Sequence, residues 1–260
     1  MKFTVLGSTG FIGRTVTAHL RAKGHDVATP DRNIQSLGGE HLGHVIYAIG
    51  MTGNFREHPD LAIEAHVNVL QKLMKDAEFD SWLYLSSTRV YGMGDTSETS
   101  PVSVMPNADT LYDLSKLLGE AICLSHKNPA VRVARLSNVY GVGQSEHTFL
   151  GSILRDVKKS GKVTIGEGQL SSKDYVSVQD VAELLELIAL HGKERLYNIA
   201  SGEAITHGAL AAKIFSAGHT IDFAPDGKIR ALPAINIGRI EQEFGRAPRS
   251  LLDDIPTLLQ

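Results

Sequence analysis

The chain has 260 residues, 42% of them hydrophobic and 21% charged, with a formal net charge of −3. This is ordinary globular composition with enough length to bury a full core, and its balance offers no basic face for nucleic acid or an anionic membrane. No apolar run approaches the roughly 20 residues that cross a bilayer. Cys123 is the single cysteine, which excludes an intrachain disulfide. With an N-terminus that lacks a signal-peptide pattern, it points to a reducing cytoplasm. The eleven histidines are scattered, with only His41 and His44 close together, so no metal site is expected.

Along the chain, strand and helix signals alternate for the first 200 residues, as in a parallel sheet covered on both faces. Lys2–Gly7 is predicted as a buried strand, followed by a helix with Ile12, Val16 and Leu20 on one face. Gly24-His25 stops it, and Asp26–Thr29 is the second strand. Val45–Ile49 is a third apolar run. Pro59-Asp60 starts a helix with Ile63, Val67, Leu70 and Met74 at core spacing. Trp82–Ser86 is a strand ending at Ser87, and the helix containing Tyr112 is expected to turn Leu114, Leu118 and Ala121 inward. Val131–Leu136, a helix over 178–190 and a strand over 197–200 complete the alternation. Around 140–174 and after Gly202 the elements shorten, with small helices at the end. The resulting division is a dinucleotide-binding domain over 1–165 with 178–200, and an interleaved substrate lobe over 140–177 with 202–260.

Two constellations carry chemistry. Gly7-Ser-Thr-Gly10-Phe-Ile-Gly13 joins the first strand to the first helix. Glycines there allow close backbone approach to a pyrophosphate, and the helix N-terminus supplies free N–H groups and a favourable dipole. Asp31, 18 residues after Gly13, is placed to accept hydrogen bonds from an adenosine ribose, which favours NAD. Arg32 beside it could pair with a 2′-phosphate, which keeps NADP open. The second constellation is Tyr112-Asp-Leu-Ser-Lys116, with Ser87 lying 25 residues before the tyrosine. At i and i+4 on a helix, the phenol and the ammonium share a face. A cation about 4 Å away, at an effective dielectric of about 20, supplies roughly the 4 kcal/mol needed to bring a phenol from ~10 to ~7. The Ser87 hydroxyl could hold the substrate oxygen.

Together these residues resemble the extended short-chain dehydrogenase/reductase superfamily, specifically its NAD-dependent epimerase/dehydratase group, over nearly the whole chain. Gly7, Gly10 and Gly13 are similar to its glycine loop and Asp31 to its ribose-binding acid. Tyr-Ala-Ile-Gly (47–50) resembles its turn beside the cofactor, and Asn68 its helix asparagine. Leu85-Ser-Ser87-Thr-Arg-Val-Tyr91-Gly92 resembles its catalytic-serine strand, and Tyr112 with Lys116 its catalytic pair. Arg135-Leu-Ser-Asn138-Val-Tyr-Gly, Lys173-Asp174-Tyr-Val-Ser-Val-Gln-Asp180 and Tyr197-Asn-Ile-Ala-Ser-Gly202 follow its later motifs.

The resemblance implies a Rossmann-type doubly wound α/β fold with a small interleaved C-terminal substrate lobe. It also implies Ser87, Tyr112 and Lys116 as catalytic residues. Gly7, Thr9, Gly10, Phe11, Ile12, Gly13, Asp31, Arg32, Ala48, Gly50 and Asn68, with Tyr112 and Lys116, would bind the cofactor. Thr88, Asn138 and Lys173 would face the substrate, and Lys173 or Arg135 could meet a substrate phosphate. The helices carrying Ile63–Met74 and Leu114–Ala121 resemble those that pair in homodimers of the superfamily.

Two departures stand out. Only thirteen residues separate Asp31 from Val45, where the family carries a further helix and strand, so one sheet edge is expected to be trimmed. The acidic pair that 4,6-dehydratases carry after the strand-end hydroxyl is Thr88-Arg89 here, which disfavours dehydration. The expected activity is an NAD-dependent epimerase or oxidoreductase of a sugar, with a nucleotide-linked sugar favoured. The alternatives are an NADPH-dependent ketoreductase and, in another class, a non-catalytic cofactor-binding sensor or assembly factor.

Overall fold

The computed structural model describes residues 1–51 and 55–260. In chain order, β1 (Lys2–Leu6), α1 (Phe11–Ala22), β2 (Asp26–Ala28) and β3 (His44–Tyr47) lead to α2 (Pro59–Ile63). A π-helical turn over Glu64–Asn68 joins α2 to α3 (Val69–Lys75), and β4 (Ser81–Ser87) ends in a 3-10 turn at Thr88–Tyr91. Then come α4 (Leu111–Ser125), β5 (Val131–Leu136), β6 (Asn138–Tyr140), α5 (Phe149–Ser160) and β7 (Lys162–Glu167). β8 (Ser172–Lys173), β9 (Tyr175–Ser177), α6 (Val178–His191), β10 (Leu196–Ile199) and β11 (Ile205–Thr206) follow. The chain ends with α7 (His207–Ser216), β12 (Thr220–Lys228), α8 (Gly238–Phe244) and α9 (Leu251–Leu259).

Six strands form one parallel sheet in the order β10-β5-β4-β3-β1-β2. Parallel neighbours need crossovers, and helices covering both faces supply them. Val16 and Leu20 of α1 pack with Val181, Leu185 and Ile188 of α6 against Phe3, Val5, Ile46 and Leu83. On the other face, Leu70, Leu73 and Met74 of α3 and Cys123 of α4 cover Tyr47, Trp82 and Tyr84. The chain steps from β1 outward to β2, then returns to place β3 on the opposite side. That reversal opens a crevice at the C-terminal ends of β1 and β3, where ligands of such sheets bind.

The trimmed edge is present: residues 29–43 contain a single bridge, His41 to Glu78, and β2 ends the sheet. Leu37 and Leu42 from this segment plug into the core beside α3. A third core gathers Leu150, Leu154 and Val157 of α5 with Leu210 and Ile214 of α7 and Leu251 and Ile255 of α9. Three two-stranded pairs accompany it: β6 with β9, β7 with β12, and β8 with β11. The 140–174 stretch thus holds a regular twelve-residue helix, capped by the Thr148 hydroxyl accepting from Gly151 N–H at 3.1 Å.

Helix α4 reverses the expected orientation. Its buried face is Tyr112, Asp113, Ser115, Lys116, Gly119, Glu120 and Cys123, while Leu118 is 52% exposed and Ala121 is also exposed. The cause is close approach. A Cβ on Gly119 would lie 2.4 Å from the Tyr84 hydroxyl and 2.7 Å from the His66 carbonyl oxygen. Only the glycine-bearing, polar face of α4 fits against that surface, so Leu118 and Leu124 turn outward and Leu114 is left half-buried. Ile63 on α2 is likewise 40% exposed, whereas Val67, Leu70 and Met74 are buried as their spacing predicts. Among the described residues no helix is long and apolar enough to cross a membrane.

Candidate active site

The first strand–helix junction is built so that backbone meets backbone. Gly7 has φ +82°, and a Cβ there would lie 2.8 Å from the Ala48 carbonyl and the Ile49 nitrogen. At Gly13, in the first turn of α1, a Cβ would lie 2.1 Å from the Gly7 oxygen. Gly10 donates to that same oxygen at 3.1 Å and has open space beside it, with nothing nearer than 3.4 Å. Thus Gly7 and Gly13 close the turn, and Gly10 leaves room outside it. The start of α1 has no side-chain cap and no acidic residue in its first turn, so its N–H groups stay available to an anion. Thr9 is exposed on the loop, while Phe11 and Ile12 are half-buried. Gly13→Ala should destabilise the protein by about 1–3 kcal/mol and weaken dinucleotide binding, as read by thermal melting and NADH titration.

Asp31 and Arg32 are both exposed just past β2, and the Asp31 carboxylate accepts the Asn33 N–H at 2.8 Å. Across the crevice, Ala48 is fixed by its N–H to the Leu6 carbonyl at 2.9 Å, and Gly50 stands exposed at the mouth.

Ser87, Tyr112 and Lys116 converge at the end of β4. Ser87 caps the 3-10 turn, accepting from Arg89 N–H at 3.3 Å, and Tyr112 interacts with its hydroxyl. Lys116 is 4% exposed and donates to the Leu85 carbonyl at 2.8 Å. Its ammonium lies 5.2 Å from the Tyr84 ring centre and 5.9 Å from that of Tyr112. The sharing of a helix face is therefore real, but the acidification expected from it is absent. Burial pushes the Tyr112 phenol up to about 12, and what opposes this is the Ser87 hydroxyl and the Arg89 guanidinium. Lys116 is itself pushed down to about 7 by burial, with the Glu120 carboxylate pulling the other way. Arg89 stands 5.4 Å over the Tyr112 ring and 5.6 Å over Phe55, held by both Asp113 oxygens at 2.9 and 3.3 Å.

Several residues sit differently from their sequence assignment. Asn68 is exposed and its amide donates to Glu64 at 2.7 Å, outside the crevice. The π-helical turn is the reason, because its wider register brings His66 and Val67 inward and leaves Asn68 in solvent. His66, which the sequence reading passed over, is a buried polar group beside Tyr112 and Lys116, edge-on to Tyr112 at 5.4 Å. Arg135 is buried in an ion pair with Glu120 and so is closed to a substrate phosphate. Thr88 is half-buried next to Ser87. Asn138 donates its amide to the Asp174 carbonyl at 2.7 Å. Lys173 is held by Glu167 at 2.9 Å with its ammonium 4.3 Å over Phe149, beside the buried His207.

The crevice thus brings together a glycine-bracketed turn, an exposed acid after the second strand, and Ser87, Tyr112 and Lys116 at the sheet's C-terminal edge. The pattern of the NAD dependent epimerase/dehydratase family matches residues 34–200. The chain belongs to this family. The match begins beyond the glycine loop, so Gly7–Gly13 and Asp31 rest on the geometry described above. A dTDP-6-deoxy-L-talose 4-dehydrogenase (NAD(P)(+)) of Kitasatospora kifunensis is 26% identical over 244 residues, covering 79% of this chain and 75% of that protein. Among solved structures, MoeE5 in complex with UDP-glucose and NAD superposes with a TM-score of 0.81 at 19% identity, covering 100% of this chain and 97% of that one. RMD from Pseudomonas aeruginosa complexed with NADPH gives 0.79 at 21% identity, covering 100% and 98%. At these identities the structural likeness is one of fold.

Proposed function

We propose that this family member is an NAD-dependent epimerase or oxidoreductase of a nucleotide-linked sugar, working by reversible hydride transfer at a carbinol or ketone carbon. The observation that carries this reading is the convergence of Ser87, Tyr112 and Lys116 across the crevice from the Gly7–Gly13 turn. The residues fit a dinucleotide: the turn leaves space only outside Gly10, the α1 N-terminus is open to a pyrophosphate, and Asp31 is exposed for a ribose. NAD supplies the hydride acceptor when bound. Tyr112 holds its proton at neutral pH, so donation to a ketone oxygen is direct, with Ser87 fixing that oxygen. In the oxidative direction the phenol must first ionise, and Tyr112 then accepts the carbinol proton as its phenolate. Its acidity then depends on Ser87 and Arg89, which oppose the effect of burial, while Lys116, pushed down to about 7 by burial, changes charge near neutral pH.

The family's name covers dehydratases as well as epimerases, so membership leaves the outcome to the residues. Thr88 and Arg89 supply no carboxylate after Ser87, and Asp113 is held by Arg89, which supports oxidation or epimerisation without loss of water. The nucleotide-sugar part rests on what relatives are named for, a dTDP-6-deoxy sugar and UDP-glucose. We assign the third core to the substrate lobe, with Lys173 as its cation.

Mass spectrometry of natively purified protein tests the proposal. Retained NAD with a nucleotide sugar supports an epimerase. Failure of any UDP- or dTDP-linked sugar to exchange hydride with the enzyme would remove the reading and favour a sensor. The exposed Arg32 supports a second reading with NADP. Asp31→Ala should weaken NADH about tenfold and leave NADPH less affected, whereas Arg32→Ala should spare NADH. The outward Leu61, Ile63, Leu118 and Leu124 support a homodimer through α2 and α4. A monomer in sedimentation velocity at micromolar concentration would count against it.

A further inference from the structure

His66 is fully buried, lies on the π-helical turn, and makes two specific hydrogen bonds. Its Nδ1 is 2.8 Å from the Ser115 Oγ. That hydroxyl donates its only proton to the Tyr112 carbonyl at 2.8 Å, so toward His66 it accepts. The imidazole therefore carries its proton on Nδ1, and the bare Nε2 accepts the Met51 N–H at 3.2 Å. Both ring nitrogens are satisfied in one tautomer only. Burial and the nearby Lys116 charge push its pKa down to about 2, in keeping with a neutral ring.

The two bonds join separate elements. Ser115 lies on α4, one residue before Lys116, and Met51 belongs to the turn after β3. Gly50 is the meeting point: a Cβ there would stand 3.5 Å from the Lys116 Nζ and 3.6 Å from the His66 Nε2. Among the described residues the ammonium donates to one acceptor, the Leu85 carbonyl, which leaves two further N–H donors on it.

We infer that His66 is a positioning residue: its neutral, tautomer-fixed imidazole ties the Gly50–Met51 turn to the Tyr112 helix and so sets the Lys116 ammonium against whatever binds over Gly50. The inference rests on the proposed cofactor reading, which puts the nicotinamide half of the dinucleotide there. A charged His66 would repel Lys116, and a shorter side chain would leave the Met51 N–H without its acceptor.

The two bonds can be removed separately. His66→Asn retains a donor near the Nδ1 position and loses the acceptor for Met51. His66→Gln retains an acceptor near Nε2. With NADH alone as probe, followed by its fluorescence, His66→Ala and His66→Asn should raise Kd at least tenfold, and His66→Gln should stay within about threefold of wild type. Melting curves identify any variant that fails to fold. Nitrogen-15 NMR of ring-labelled wild type needs no variant, and should give a neutral Nδ1–H ring between pH 5 and 9. An Nε2–H or cationic ring, wild-type affinity in folded His66→Ala, or equal losses in the Asn and Gln variants would each overturn the inference alone. Wild-type protein that binds neither NADH nor NADPH would overturn the cofactor reading and this inference together.

Discussion

Tyr112→Phe should lower turnover by about 10²- to 10⁴-fold, the usual worth of a positioned acid–base group, while leaving the fold almost unchanged. Only one buried hydroxyl is lost, and its net contribution is about 1 kcal/mol. The informative partner is Lys116→Met, which should abolish turnover yet raise the stability of the ligand-free protein at pH 6. There the wild type keeps a desolvated ammonium that an apolar side chain of similar volume does not. The pH dependence follows from the same burial. Below pH 7 the lysine is protonated in both states, and the folded state bears the full desolvation cost. Between about 7 and its ordinary 10.5 the unfolded lysine is protonated and the folded one is not, so stability rises with pH across this window. Tyr112 acts oppositely from 10 to about 12: the unfolded phenol ionises first, and stability falls. Melting temperatures at pH 6, 8 and 10 should climb more steeply in wild type than in Lys116→Met. Equal slopes would mean that Lys116 is not desolvated as described.

How far the chain could be understood before its structure depended on which interaction fixed each element. The parallel strands were legible because they are short apolar runs bounded by turn residues, and the glycine loop because steric closure at Gly7 and Gly13 admits little else. The trimmed sheet edge followed from the count between Asp31 and Val45. The outward face of α4 was not legible. Periodicity assigns leucines to the core, and only the contact of Gly119 with Tyr84 and the His66 carbonyl reverses this. His66 and Asn68 were exchanged for a similar reason, since a π-helical turn shifts the buried face and leaves no local mark in composition. A polar residue two positions from the expected asparagine, on a helix packed against the Tyr112 helix, was the available signal. The acidity of Tyr112 was misjudged because spacing gives a shared face, whereas the pKa depends on how much water burial removes.

The largest loss of stability should come from a pair that touches no reacting atom. Glu120 lies one turn beyond Lys116 on the buried face of α4, and receives both Arg135 Nε at 2.9 Å and an NH2 at 2.6 Å. Ser86 donates to the same carboxylate. The Arg135 guanidinium lies 4.7 Å over the Tyr91 ring, and the Tyr91 hydroxyl donates to the buried Asn198 at 2.8 Å. Glu120 is 3% exposed and Arg135 5%. Removing one partner leaves the other charged without a counter-ion, so Glu120→Ala or Arg135→Ala should cost about 3–5 kcal/mol. Replacing both with apolar residues of similar size should recover much of that loss. The two single variants should differ in the site as well. Glu120→Ala deletes the carboxylate that opposes the lowering of the Lys116 pKa, so surviving folded enzyme should carry less charge on Lys116. Arg135→Ala frees that carboxylate from its ion pair, so its pull on Lys116 and the charge there should strengthen. Urea denaturation reads the first effect and the pH dependence of turnover the second: the lysine-linked limb should move to lower pH in Glu120→Ala and to higher pH in Arg135→Ala. Movement of both limbs in the same direction would sever the link between this pair and Lys116.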